Sequence, residues 1–317
     1  MPRIQTSRRA ILLLAIASLA WLGSCGGESE TPPNVILIVM DTLRADRLGC
    51  YGHERPTSPA IDAFAAEATH YRRAFATAPW TVPTHGSLFT GKLPFEHGAH
   101  TRKHDDGGVG VLPLPGSHLT LAEVFQDQGY ATGAFVTNDG YLSEHWQFDQ
   151  GFETYHVERV YADVINRRVV SWLESHGADP FFLYVNYIDT HRVYNARPRD
   201  DFLDPPAVFD QGQLLDQLYQ AVMPADGPVP AELARKVNDQ YDTAVRNLDE
   251  QIGLLFGYLQ AEGLWDDTVI VLTTDHGEYL GEHHLVEHSK DVYEEAVRAA
   301  LMVKRPDQRA GTRVEEP

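Results

Sequence analysis

The chain of 317 residues carries 26 basic and 45 acidic residues, a formal net charge of −19, which speaks against nucleic acid as a partner. With 43% hydrophobic and 22% charged residues, and no repeat or low-complexity tract, the composition excludes a fibre or a disordered chain. A chain of this length buries roughly 75% of its unfolded surface as one large domain.

Residues 1–24 read as a targeting segment. Arg3, Arg8 and Arg9 precede an apolar run from Ala10 to Leu22 that is too short for a finished membrane span. Leu22-Gly-Ser-Cys25 is similar to a bacterial lipobox, which implies that Cys25 becomes the lipidated first residue of an exported lipoprotein in the cell envelope. Residues 25–33 then form a flexible tether to a catalytic body at 34–317. Loss of three arginines leaves 23 basic residues against 45 acidic, a net of −22, and Cys50 is left without an internal disulfide partner.

The body alternates strand and helix. The first strand spans 33–40 and ends on Asp41. A helix follows at 58–69, with Ile61, Phe64, Ala65 and Ala68 at helical spacing. A second helix opens at Thr81, expected at the N-cap, with Pro83 in the first turn and Gly91 as the stop. Such a helix start offers free N–H groups and a positive dipole end to an oxyanion.

Residues 107–117 read as a loop or hairpin, 119–128 as a helix, 131–138 as a strand and 160–175 as a helix. The strand 181–187 leads into Asp189-Thr-His191. A proline-rich stretch at 197–230, with a helical pattern at 214–222, reads as an inserted cap. One long helix covers 231–262 and packs on the sheet, and a strand from 269 ends on Asp275-His276. Continuous apolar runs suit strands buried on both faces of a parallel sheet, which collects its chemistry at the strands' carboxyl ends. The expected fold is therefore α/β, a mostly parallel central sheet with helices on both faces.

Five stretches in order carry a resemblance: Asn34–Gly52, Trp80–Gly91, Phe148–Phe152, Thr274–His283 and Lys290–Glu295. Together they resemble the sulfatase family of the alkaline phosphatase superfamily. The family normally continues past Arg305 into a small carboxy-terminal subdomain, so by resemblance the chain is a truncated member, with an exposed apolar patch expected beside a final strand at 299–303.

The resemblance implies a metal-dependent hydrolase or transferase acting on sulfate or phosphate esters. Asp41, Asp275 and His276 would hold a divalent cation (Ca, Mn, Mg or Zn) to which the Thr81 hydroxyl also binds; hard oxygen ligands with one imidazole suit any of these. A threonine hydroxyl needs such help to act as a nucleophile. His191, His288 and Lys290 would bind the substrate anion and protonate the leaving group. His97 and His283 also match family positions, either as ligands or as structural hydrogen-bonders.

Two departures stand out. The family's Cys-x-Pro-x-Arg, whose Cys or Ser becomes formylglycine, is Thr81-x-Pro-x-His85 here, and its second acid after the first strand is Thr42. Both point to the threonine-using relatives and favour phosphoesters over sulfates. The alternatives are a two-metal phosphodiesterase, with a second ion at Asp189, His191 and His288, and a catalytically silent surface-binding relative.

Overall fold

A computed structural model describes residues 32–103, 107–194, 212–223 and 229–316. The expected targeting segment at 1–24 and Cys25 lie outside the described residues, as does most of the proline-rich stretch. Pro33, the last residue of the expected tether, accepts a hydrogen bond from the Tyr130 hydroxyl at 3.1 Å and so belongs to the body.

In chain order the strands are β1 (Asn34–Met40), β2 (Thr69–Phe75), β3 (Thr101–Lys103), β4 (Val109–Val111), β5 (Ala131–Val136), β6 (Thr154–Val157), β7 (Phe181–Tyr187), β8 (Thr268–Thr274), β9 (Tyr279–Leu280), β10 (Val286–Glu287), β11 (Arg298–Lys304) and β12 (Thr312–Val314). The helices are α1 (Pro59–Glu67), α2 (Thr81–Thr90), α3 (Pro94–His97), α4 (Leu121–Asp127), α5 (Ala162–His176), α6 (Gln213–Val222), α7 (Ala231–Ala261) and α8 (Glu294–Val297). Eight strands form the central sheet in the order β12-β2-β11-β8-β1-β7-β5-β6.

The run β8-β1-β7-β5-β6 is parallel throughout, whereas β11 lies antiparallel between β8 and β2. Alternation along β1 sorts the core. Ile36, Ile38 and Met40 pack under α1, α5 and α7 on one face, and Leu37 and Val39 pack with Val82, Phe89 and Ala122 of α2 and α4 on the other. The expected α/β sandwich is therefore the observed one. β1, β7, β8, α5, α6 and α7 lie within a residue or two of their expected limits.

Three strands of the central sheet were not foreseen, β2, β6 and β12, nor were the short strands β3, β9 and β10 outside it. The presence of β2 overturns the expected bare patch beside 299–303, because β11 is paired on both edges, by β2 and β8, and Ala299, Ala300 and Met302 are buried. No helix among the described residues is long and apolar enough to cross a membrane.

Candidate active site

Because β8, β1, β7 and β5 are parallel neighbours, their carboxyl ends open onto one sheet edge, and each delivers a polar side chain there. Asp41 follows β1, Asp189 and His191 follow β7, Asp275 and His276 follow β8, and Asn138 follows β5. Helix α2 adds Thr81. Trp80 is the N-cap and Thr81 the first helical residue, one position later than expected.

Asp41, Asp275, His276 and Thr81 converge in the interior, none more than 1% exposed. The two carboxylates and the imidazole present ligand atoms all within 4.8 Å of one another. His276 Nε2 lies 3.3 Å from Asp275 Oδ2, 4.0 Å from Asp41 Oδ1 and 3.4 Å from the Thr81 hydroxyl. His276 Nδ1 donates to the Gly277 carbonyl at 3.0 Å, so the lone pair sits on Nε2 and faces the carboxylates.

The outer carboxylate oxygens are held by the fold. Asp41 Oδ2 accepts from the Asn138 amide at 2.6 Å, and Asp275 Oδ1 accepts the backbone N–H of Thr42 at 3.1 Å and of His276 at 2.8 Å. Asp41 Oδ1 and Asp275 Oδ2 are buried without a hydrogen-bond partner. Two orphaned carboxylate oxygens beside a lone-pair nitrogen fit a divalent cation, which would compensate the buried carboxylate charge and take the nitrogen lone pair.

The two carboxyls are pushed in opposite directions. Burial opposes the charge on Asp41, but the imidazoles of His191 and His276 and the Asn138 amide hold its carboxyl below the ordinary value. Burial and the Asp41 charge push Asp275 well above it. Burial, reinforced by His288, lowers His276 to about 3, so its imidazole is neutral and available as a ligand.

His85, which stands where the family carries arginine, is neutral: burial lowers it to about 4. Its Nδ1 donates to the Thr81 carbonyl at 3.0 Å, and its Nε2 accepts from the Tyr184 hydroxyl at 2.8 Å. It thus braces the first turn of α2 from below. Thr42 contributes its N–H rather than a ligand oxygen, since its hydroxyl donates to the Thr190 carbonyl at 2.7 Å.

The remaining candidates divide. His288 and His191 reach the cluster: the His288 ring lies 4.6 Å from that of His276 and 5.1 Å from that of His191. His288 Nδ1 donates to Glu278 Oε1 at 2.9 Å, which turns Nε2 away from the glutamate. Burial works against protonation of His288, but the Glu278 carboxylate outweighs it and raises the imidazole above its ordinary value. Lys290 is directed elsewhere. Its ammonium donates to the Val286 carbonyl at 2.6 Å and to Glu287 at 3.4 Å, and lies over the Tyr219 ring of α6.

The second-ion set does not assemble. Both oxygens of Asp189 accept the Ala162 N–H at the start of α5, at 3.3 and 3.1 Å, so this carboxylate anchors a helix. Asp41, Asp275 and His276 are the one group of metal-ligand geometry among the described residues. His97 is structural, with Nδ1 accepting from Ala99 N and Nε2 facing the Pro83 carbonyl, and exposed His283 stacks on Tyr293. Asn138, Glu278 and Tyr184 were not anticipated. The signal for Asn138 was its place after the buried run 131–136, the same sheet edge that delivers Asp41.

A sequence profile of the family Sulfatase matches residues 33–317. The chain belongs to the sulfatase family. It is 26% identical to an ulvan-active sulfatase of Formosa agariphila, over 92% of this chain and 60% of that protein, and 26% identical to iduronate 2-sulfatase of Homo sapiens, over 84% and 60%. Among solved structures, a phosphonate monoester hydrolase of Agrobacterium radiobacter superposes with a TM-score of 0.69 at 21% identity, covering 90% of this chain and 70% of that one. The chain spans about 60% of the length of the curated relatives it matches.

Proposed function

We propose that this sulfatase-family chain is a metal-dependent esterase that attacks sulfate or phosphate esters through the Thr81 hydroxyl, with phosphoesters preferred. The observation that carries this reading is the convergence of Thr81, at the amino end of α2, on the orphaned oxygens of Asp41 and Asp275 and on His276 Nε2. Asp41, Asp275 and His276 would hold the cation, which when bound lowers the hydroxyl's proton affinity and offsets charge building on the ester oxygens.

The chain's own groups would do the rest. The hydroxyl oxygen of Thr81 forms the new ester bond while the bond to the departing alkoxide breaks. His288, kept protonated by the Glu278 carboxylate on its Nδ1 side, would give the alkoxide its Nε2 proton, and His191 lines the same side. Water then cleaves the threonyl ester, restoring the hydroxyl. An acceptor alcohol in place of water would make the protein a transferase. A threonyl ester cannot collapse as formylglycine hydrate does, and a phosphorylated threonine is easier to resolve than a sulfated one.

The test is a side-by-side assay of p-nitrophenyl phosphate, its phenylphosphonate ester and p-nitrophenyl sulfate with added Ca, Mg, Mn or Zn. Phosphoester turnover should exceed sulfate turnover, and Thr81→Ala should drop both to the buffer rate. Sulfate turnover that is faster and survives Thr81→Ala would overturn the mechanism.

The same proposal places the enzyme at the cell envelope, supported by the arginines and apolar run before Leu22-Gly-Ser-Cys25. Cys25→Ser should release it from the membrane fraction after a salt wash, with the body still folded.

A further inference from the structure

A charged bridge spans the two loops that carry His191 and His288. The Arg192 guanidinium, one residue past His191, donates through Nη1 to Glu287 Oε1 at 2.5 Å, and Glu287 immediately precedes His288. The other terminal nitrogen donates to Asp216, so one side chain ties the loop after β7 to β10 and to α6. The bridge is partly sheltered, with 40% of the Arg192 side chain and 22% of the Glu287 side chain exposed. Burial opposes the Glu287 charge, but Arg192 and Lys290 hold its carboxyl below the ordinary value, so both partners are charged at neutral pH.

The backbone around His288 needs restraint. Glu287 and Ser289 flank it with φ of 62° and 67°, a left-handed conformation that is costly for a residue with a side chain and persists only where the surroundings fix it. Ser289 is fixed by its N–H, which donates to the Pro79 carbonyl at 3.0 Å. Glu287 pairs with Tyr279 across the β9–β10 ladder and carries Arg192 on its carboxylate.

Each imidazole is held in rotation by its own Nδ1, which donates to the Arg192 carbonyl in His191 and to Glu278 Oε1 in His288, both at 2.9 Å. Neither bond fixes how far apart the two rings stand. We propose that Arg192 and Glu287 form a clamp that sets the spacing of His191 and His288, which makes both of them positioning residues for the proton-donating side of the site. The kinetic consequence rests on the reading of His288 as proton donor; the spacing does not.

Crystal structures and turnover of metal-loaded variants test the two parts separately. In Arg192→Gln and in Glu287→Gln the ring centroids should move apart from their 5.1 Å, with metal content and melting temperature as in the wild type, because a bridge this exposed adds little stability. Asp216→Asn, which removes the other carboxylate on Arg192, should leave the spacing in place. In either clamp variant kcat for phenyl phosphate, whose leaving group depends on a donated proton, should fall roughly tenfold, and kcat for p-nitrophenyl phosphate about twofold or less. The double variant should be no worse than either single one, since the two side chains act as a unit.

Unchanged ring spacing in both single variants would overturn the clamp, as would additive losses in the double variant. Wider spacing with both esters slowed alike would support the clamp and sink His288 as the proton donor. Wider spacing without turnover by any form of the protein would support the clamp and sink the esterase reading.

Discussion

At the scale of single residues, the cluster owes its order to bonds made by the carboxylate oxygens that face away from its centre. Asn138 is the clearest case, with Oδ1 spent on Tyr141 N and its amide nitrogen spent on Asp41 Oδ2. Asp275→Ala should lower metal content and activity together, because it removes one of the two carboxylates of the proposed metal site; metal stoichiometry by elemental analysis decides this. Asn138→Ala should weaken metal affinity by roughly ten- to a hundredfold while leaving the metal stoichiometry at saturation unchanged, as loss of an outer partner does. The convergence of Thr81, Asp41, Asp275 and His276 was legible because each stands at the end of a buried apolar run or the start of a helix. Lys290 was misread for a physical reason: a motif fixes where a backbone lies, not which carbonyl a flexible ammonium finds.

At the scale of elements, α2 is positioned by its contacts more than by its own propensity, since a ten-residue helix holding proline and glycine is a poor helix former. Gly86 is the point of closest packing. A Cβ there would sit 2.4 Å from the His97 ring, which also faces the Pro83 carbonyl and the Ser87 hydroxyl. Gly86→Ala should therefore cost about 1–3 kcal/mol of stability and shift Thr81, read as a lower melting temperature with reduced kcat. Helix α4 shows the contrasting case of a local signal that could be read directly. Thr120 and Glu123 form a reciprocal capping box, and Thr120→Ala should cost about 1 kcal/mol without touching kinetics. Strand β2 was hidden because Thr69-His-Tyr-Arg-Arg-Ala-Phe75 is polar and half-exposed, and its main partner lies more than two hundred residues further on.

At the scale of the molecule, buried neutral imidazoles set the response to acid. Burial, with Arg72 and Arg313 nearby, lowers His70 from 6.5 to about 4, so the unfolded chain takes up its proton first. The stability His70 contributes is complete above about pH 6.5 and lost as pH falls toward 4. His70→Phe should flatten that limb in a melting-temperature profile measured from pH 7 to 4. The parallel centre of the sheet was readable from its apolar strands, and its antiparallel margin was not, because pairings between distant segments leave no local periodicity. That margin and centre also decide when the protein can fold. β1 joins β8 residue for residue from Asn34↔Thr268 to Met40↔Thr274, and β2 waits for β11. A ribosome must therefore release more than two hundred residues after the first strand before that strand finds its second neighbour, so the growing chain carries a half-paired apolar strand until Thr274 has emerged. Pairing across such sequence separation slows assembly, because loop closure must precede the contacts that reward it.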